Sequence, residues 1–175
     1  PQETILFNLH STLNILEAVR LHSSHTRMYQ ATSSEMFGST KNLPITEASI
    51  TNPQSPYAVS KVACYNLVRS YRSAYNLHCS SGILFNHESV LRRENFFIMK
   101  VLHTTLDIYY GKQQYLEVGN IEVRRDFGFA PRYVEAMISM VNMENPDDYV
   151  ICSGVSISLR DIIETVFDFL NLESD

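Results

Sequence analysis

Tyr57 and Lys61 form the residue pair in this sequence whose types and spacing could do chemistry. They stand four positions apart in the stretch 55–61, where the sequence predicts the start of a long helix. At about 100° per residue the two side chains fall on one helix face, about one turn apart. A phenol titrates at about pH 10, and a neighbouring ammonium lowers that pKa, so the pair could shuttle a proton. The alternative is an ordinary surface pair on a helix.

Two polar stretches follow predicted strands. Thr32-Ser33-Ser34-Glu35 comes after a short apolar strand, and Asn86-His87-Glu88 comes after a second one. Ligands of parallel sheets collect at the carboxyl ends of the strands, so we expect these stretches and the Tyr57 helix to meet at one place. The alternatives are a capping role for Glu35 and a turn-forming role for Ser33 and Ser34.

The rest of the chain alternates helices with strands. Apolar residues at helical spacing predict helices over residues 5–21, 57–75, 95–110, 131–143 and 159–170. Short apolar runs predict strands over residues 27–31, 79–85, 115–118 and 149–152. Residues 39–56 contain three prolines and predict a long irregular loop. This order, with connections of crossover length, predicts an α/β fold with a parallel sheet.

The composition excludes several classes of protein. Hydrophobic residues make up 45% and charged residues 19%, which argues against disorder. A net charge of -5 argues against nucleic-acid binding, whereas the islands Arg92-Arg93 and Arg124-Arg125 suit a small anionic ligand. The three cysteines have no disulfide or metal-ligand spacing, so we expect no metal and a reducing, cytoplasmic setting. No apolar run reaches about 18 residues, so we expect no membrane span.

A series of short motifs extends over essentially the whole chain. The motifs are 31–38, Ser55-Pro56-Tyr57, 82–89, 116–120, Arg125-Asp126-Phe127-Gly128, 133–137 and 146–151. In this order and spacing they resemble the extended short-chain dehydrogenase/reductases that act on nucleotide sugars, and among these the GDP-mannose 4,6-dehydratase family. Ser34-Glu35 favours that family over the dTDP-glucose dehydratases, which carry Asp-Glu there. Sugar epimerases and simple reductases need no base at the place of Glu35.

The resemblance implies a partial Rossmann-type parallel sheet with helices on both faces, plus part of a smaller C-terminal substrate domain. Residues 1–88 would form the second half of an NADP-binding Rossmann domain. Residues 89–175 would form a mixed segment with substrate-binding elements and a returning Rossmann strand and helix. The sequence contains no glycine-rich fingerprint, so we expect a longer parent protein. We expect residues 1–175 alone neither to bind NADP nor to turn over a substrate.

The implied activity is conversion of GDP-mannose to GDP-4-dehydro-6-deoxy-mannose by internal hydride transfer through NADP. Tyr57 would take the proton of the sugar C4 hydroxyl, supported by Lys61. Ser33 would donate a hydrogen bond to the oxygen at C4, and Glu35 would remove the C5 proton before water leaves from C6.

The resemblance also implies the binding residues. The cofactor contacts would be Tyr57, Lys61, His87 and Arg92, and the substrate contacts would be Ser33, Asn86, Lys100 and Arg125. A GDP-sugar is the expected small-molecule partner. A homodimer or homotetramer would form through the helix 57–76, with Tyr65, Leu67, Val68 and Tyr71 as candidate contacts.

Other assignments are also compatible with the sequence. The chain could belong to another nucleotide-sugar dehydratase or epimerase, for example one acting on a GDP-heptose, or to a non-catalytic truncated paralogue that docks on a full-length subunit. His87 could be an ordinary loop histidine and Arg124-Arg125 a solvated pair. Three places depart from the family pattern: residues 89–96 lack its Pro-Arg-Arg-Gly, Pro131-Arg132 replaces Lys-Asp, and Phe127 replaces Trp.

Overall fold

The computed structural model describes residues 1–173, which fold into two compact units. The first comprises Pro1–Phe85 and Arg132–Ile151, and the second comprises Asn86–Pro131 and the described residues from Cys152 onward. The helices are α1 (Gln2–His22), α2 (Pro56–Tyr75), α3 (Phe97–Tyr109), α4 (Ala130–Asn142) and α5 (Leu159–Phe169). The strands are β1 (Met28–Ser33), β2 (Cys79–Leu84), β3 (Asn86–Glu88), β4 (Arg124–Phe129), β5 (Asp148–Ile151) and β6 (Ser156–Ser158).

The first unit contains a parallel sheet. Its three strands have the order β1-β2-β5, and Gly82 at the centre pairs with Ala31 on one side and Tyr149 on the other. All residues of β2 are buried, as expected of a strand whose two faces are both covered. The predicted α/β fold with a parallel sheet is therefore confirmed.

Two apolar clusters hold α1, α2 and the sheet together. In the first, Leu16 of α1 and Val68 of α2 are fully buried and pack with Met28 and Cys79 of the strands. The second cluster contains Tyr65 of α2, Ile83 of β2, and Met36 and Phe37. Met36 and Phe37 belong to a 3₁₀ turn, Ser34–Phe37, that directly follows β1. Burial of these side chains therefore fixes the turn that carries Glu35.

Helix α2 packs against α1 along the face that the sequence assigned to an oligomer contact. Tyr71 Oη donates to Glu17 Oε1 at 2.6 Å, and Arg20 donates to both oxygens of Glu17. The hydrogen bonds from Arg20 and then Tyr71 lower the pKa of Glu17 to about 2. Tyr65 and Val68 are buried in the two clusters, and Leu67 is partly buried against the first. Tyr65 and Val68 therefore cannot face a partner, because α1 and the sheet cover them, whereas Leu67 and Tyr71 are only partly buried and stay candidate contacts.

An ion pair connects α2 to β5, an outer strand of the sheet. Arg72 donates from Nη2 to Asp148 Oδ1 at 2.6 Å and from Nε to Cys79 O at 2.7 Å, joining α2 to β5 and β2. The Asp148 side chain is only 7% exposed. Arg69 Nε also approaches Asp148, at 3.5 Å, but its side chain is 57% exposed. Arg72 is therefore the main partner of a buried carboxylate.

We expect Arg72→Met to lower the free energy of unfolding by about 3 kcal/mol, because it leaves a buried carboxylate without its main cation. Arg69→Met removes a neighbouring but exposed cation and should cost less than about 1 kcal/mol. Urea unfolding followed by circular dichroism measures both values. Equal losses for the two variants would contradict the assignment of Arg72 as the main partner.

The second unit contains a small mixed sheet. Strand β4 pairs in parallel with β3 and antiparallel with β6. Asp126 on β4 accepts hydrogen bonds from the backbone N–H groups of Ser153 and Gly154, at 2.9 and 2.8 Å. The N-terminus of α5 is closed by a capping box between Ser158 and Asp161. These contacts fix the strand that carries Arg125.

One element predicted from the sequence is wrong and three were not predicted. Residues 115–118 form no strand, and Lys100 Nζ donates to Glu117 O within that stretch at 2.6 Å. Strands β3 and β6 have three residues each, and β4 begins with two exposed arginines. Strands this short or this polar lack the apolar run on which the sequence prediction relied. The remaining predicted helices and strands are present, with ends shifted by a few residues.

Candidate active site

Lys61 lies half-buried on α2, between Tyr57 and strand β1. Its Nζ donates to the backbone oxygen of Ala31 at 2.9 Å and lies 5.5 Å from the centroid of the Tyr57 ring. Burial lowers the pKa of the Lys61 ammonium. Ala31 stands two residues before Ser33, at the carboxyl end of β1. A cation is thus held beside both the phenol and the strand end that the sequence singled out.

Ser33 and Glu35 occupy the turn that follows β1. Ser33 is buried, and its Oγ accepts the backbone N–H of Glu35 at 3.2 Å. This bond uses Ser33 Oγ as an acceptor, so its hydroxyl hydrogen can be donated elsewhere. The Glu35 side chain is exposed, whereas Met36 and Phe37 after it are buried. The turn, held by the buried Met36 and Phe37, therefore presents a hydroxyl and a carboxylate in fixed positions. Ser33 caps the turn, in keeping with the turn-forming role considered for it from the sequence, and it keeps its own hydroxyl donor.

Two residues, Ser55 and Pro56, fix the start of α2 and hence Tyr57. Ser55 is the N-cap, and its side chain accepts the backbone N–H of Ala58 at 3.1 Å. Pro56 follows as the first helical residue, a position at which its missing N–H costs nothing. Tyr57 comes next and is 41% exposed. Its ring therefore reaches solvent from the first turn of a well-capped helix.

Asn8 also positions the first turn of α2, and the sequence analysis missed it. Its Nδ2 donates to Ser60 Oγ at 2.8 Å, and Ser60 Oγ donates to the backbone oxygen of Tyr57 at 2.7 Å. Ser60 is fully buried, so α1 contacts the backbone of Tyr57 through a buried hydroxyl. Asn8 lies far from Ser60 in the sequence and within no motif that indicated a contact.

The two segments that carry Glu35 and Tyr57 are joined directly through backbone contacts. Asn52 donates its N–H to Met36 O at 2.8 Å, one residue after Glu35. Gly38 has φ +55°, and a Cβ placed on it would lie 2.2 Å from Asn52 O. Only glycine fits this position, because the backbone conformation and the close approach both exclude a side chain. The turn and the residues leading into α2 are therefore packed against one another.

In the second unit, Asn86 and Arg125 share one face of the small sheet. Asn86 pairs with Phe127, two residues after Arg125 on β4, and alternate residues of a strand face the same side. Arg125 is exposed and donates from Nη1 to Arg124 O at 3.0 Å. A guanidinium has further N–H groups available, and together with an amide it suits recognition of phosphate and hydroxyl groups.

The other predicted residues of the second unit have varied surroundings. Arg92 stacks its guanidinium 3.5 Å from the centroid of the Phe96 ring and pairs with Glu88 at 3.4 Å without a hydrogen bond. Burial raises the pKa of Glu88. His87 is half-buried on β3, opposite Gly128. Lys100 is exposed on α3 and bonded to Glu117 O. Arg92 is thus packed within its own loop, where the sequence departs from the family pattern.

The predicted site residues divide between the two units. Ser33, Glu35, Tyr57 and Lys61 lie in the first unit, on β1, the 3₁₀ turn and α2, and α2 contacts both other elements. Asn86, His87, Arg92, Lys100 and Arg125 lie in the second. Within residues 1–173, no group of three or more His, Cys, Asp or Glu side chains is arranged to hold a metal ion. None of the helices in the same range is long and apolar enough to cross a membrane.

Comparison with solved structures defines the class of fold. The chain superposes on a structure of RMD from Pseudomonas aeruginosa complexed with NADPH with a TM-score of 0.90 and 28% identity, covering 97% of this chain and 58% of that one. A dTDP-glucose 4,6-dehydratase from Bacillus anthracis in complex with NAD superposes with a TM-score of 0.88 at 20% identity, covering 95% of this chain and 53% of that one. The fold is that of the Rossmann-type enzymes of the short-chain dehydrogenase/reductase class.

Sequence comparison gives the family. The profile of the GDP-mannose 4,6 dehydratase family matches residues 1–175, and the chain belongs to that family. A GDP-mannose 4,6-dehydratase from Sinorhizobium fredii is 41% identical over 96% of this chain and 48% of its own length. The Drosophila melanogaster and human relatives are 42% and 39% identical, over 93% and 89% of this chain and 42% of each relative. The chain spans about half the length of these curated relatives.

Proposed function

We propose that the protein to which this chain belongs is an NADP-dependent GDP-mannose 4,6-dehydratase that produces GDP-4-dehydro-6-deoxy-mannose. The observation that carries the proposal is the position of the Lys61 ammonium, which donates to Ala31 O on β1, two residues before Ser33, and lies 5.5 Å from the Tyr57 ring. Family membership supports the choice of substrate, since the relatives carry that activity in their names.

Tyr57 and Ser33 act at C4 in the proposed first half of the reaction. The Tyr57 phenolate, stabilised by the Lys61 ammonium, accepts the proton of the C4 hydroxyl. Ser33, whose Oγ already accepts the Glu35 N–H, donates its hydrogen to the oxygen at C4. A donor held in place by a buried turn stabilises the developing carbonyl without reorganising.

Glu35 acts in the proposed second half. A ketone at C4 makes the hydrogen on C5 acidic, and the exposed carboxylate of Glu35 removes it as a general base. Water then leaves from C6. The buried Met36 and Phe37 hold the turn, so Glu35 and Ser33 keep a fixed separation while both act on the same sugar.

Lys61 of the first unit fits a contact with a dinucleotide cofactor. NADP, when bound, supplies the hydride acceptor for C4 and the hydride donor for C6. Lys61 uses one N–H on Ala31 O and has two more for ribose hydroxyls. The other proposed cofactor contacts are Tyr57 of the first unit, and His87 and Arg92 of the second. For the GDP-sugar we propose Ser33, Asn86, Lys100 and Arg125, of which the Lys and Arg can neutralise a diphosphate.

For assembly and setting, we propose a homodimer or homotetramer that forms through α2 and acts on a small molecule in the cytoplasm. The outward residues of the helix pair include Phe7 at 73% and Ile15 at 51% exposure on α1, and Val59 at 45% on α2. These apolar side chains support a contact on the outer face of the pair, rather than through Tyr65 and Val68. A net charge of -5 favours no nucleic-acid partner.

The test is to incubate the full-length protein with GDP-mannose and NADP and to look for a 4-keto sugar. We expect GDP-4-dehydro-6-deoxy-mannose without net consumption of cofactor. Product from a GDP-heptose but not from GDP-mannose would show that the substrate is the GDP-heptose. No product from an intact, folded protein with either sugar would refute the dehydratase and favour a non-catalytic subunit partner.

A further inference from the structure

The loop between Gly38 and Ser55 connects the two halves of the candidate active centre. It begins directly after the turn that carries Glu35 and ends at the cap of the helix that carries Tyr57. A connection this long without secondary structure is uncommon in a compact domain unless it has a function. Its conformation therefore bears on the placement of both side chains.

The two ends of the loop are fastened to each other. Asn52 N donates to Met36 O, and Asn52 O lies against Gly38. Ser39 Oγ donates to Gln54 Oε1 at 3.2 Å, which joins the next residues on each side. These contacts leave the middle of the loop, around Glu47, to be held by something else.

A single carboxylate fastens the middle of the loop to the sheet. Glu47 Oε1 accepts the backbone N–H of Val150 at 2.7 Å. Val150 lies on β5, an outer strand of the sheet, and partly buried Val150 and Ile45 both pack on the cluster that contains Tyr65. A local turn, in which Thr46 N donates to Ser49 Oγ at 2.9 Å, holds the residues on either side of Glu47.

We propose that Glu47 is a positioning residue of the active centre, acting through the loop on Glu35 and Tyr57. The role rests on the proposed function, because it concerns the geometry of that reaction. The backbone N–H of an outer strand is otherwise open to solvent, so the carboxylate gives the loop one defined attachment. Fixing the middle of the loop reduces the conformations open to its ends, and those ends set the separation of the turn and α2.

The expected effect is on turnover rather than on substrate affinity. Release of the loop should shift Glu35 and Tyr57 relative to each other, and misplacement of about 1 Å costs about 100-fold in rate. We therefore expect Glu47→Ala in the full-length enzyme to lower kcat about 10- to 100-fold, with KM changed far less. Glu47→Gln keeps an oxygen that can accept the Val150 N–H, so it should retain most of the kcat.

Lys41→Ala is the matched control, since Lys41 lies exposed on the same loop and makes no hydrogen bond or ion pair with any of residues 1–173. Its kcat should equal that of the unmodified protein. Amide hydrogen exchange supplies the readout that does not need activity. Exchange at Val150 and at the hydrogen-bonded loop amides of Thr46 and Asn52 should accelerate in Glu47→Ala and match the unmodified protein in Glu47→Gln and Lys41→Ala.

Two results would overturn the proposal. Unchanged exchange at Val150 in Glu47→Ala would show that the carboxylate does not hold the loop. Faster exchange with an unchanged kcat would show that the attachment is structural only. If the unmodified protein forms no keto sugar, the proposed function fails and the catalytic role of Glu47 with it, while the exchange data still decide whether Glu47 fastens the loop.

Discussion

Tyr57→Phe should abolish the first oxidation of GDP-mannose, with kcat of the full-length enzyme lowered by about 10²- to 10⁴-fold. The substitution removes the proton acceptor and leaves the ring, which keeps its position near the Lys61 ammonium. The loss should therefore appear in chemistry and not in folding. Stopped-flow absorbance at the wavelength of reduced nicotinamide, after mixing enzyme, NADP and substrate, measures this step directly.

Tyr75→Phe is the matched control for Tyr57→Phe. Tyr75 is the last residue of the same helix and is 49% exposed, and its ring packs with Tyr71 and Arg20. Loss of its hydroxyl should leave kcat unchanged. A Tyr57→Phe enzyme that reduces the cofactor at the normal rate would assign the proton transfer to another group.

Glu35→Gln should separate the two halves of the reaction. The amide has nearly the shape of the carboxylate but cannot take the C5 proton, so oxidation at C4 should proceed while elimination slows by about 10²- to 10⁴-fold. The reduced cofactor should then accumulate in a single turnover. Ser33 Oγ accepts the backbone N–H of Glu35, a contact that the substitution keeps.

Glu144→Gln serves as the control for Glu35→Gln, because Glu144 is an exposed acid of the same unit, outside the active centre. It should leave both half-reactions unchanged. Normal turnover by Glu35→Gln would show that another base acts at C5.

The Tyr57–Lys61 pair and the carboxyl end of β1 could be predicted because their information is local. The spacing of the pair fixes a shared helix face, and the hydroxyl-rich stretch after an apolar run marks the end of a strand. In the structure Lys61 Nζ lies between the Tyr57 ring and β1, where it donates to Ala31 O. No sequence pattern specifies that contact.

Contacts that depend on tertiary packing could not be predicted. Asn8 reaches Ser60 only because α1 packs on α2, and Glu47 reaches Val150 across most of the chain length. The same packing explains one error, since Tyr65 and Val68, which were assigned to a partner contact, are buried within the first unit. The sheet of the second unit was missed because its strands are short or begin with charged residues.

The most direct measurement of the central claim is the fate of the C4 hydrogen. The full-length protein would be given GDP-mannose deuterated at C4, and the product examined by NMR and mass spectrometry. Internal hydride transfer through NADP predicts that the deuterium appears on C6 of the 4-keto product, as a CH2D group. Deuterium retained at C4, or a 6-deoxy product that carries none of the label, would contradict the account.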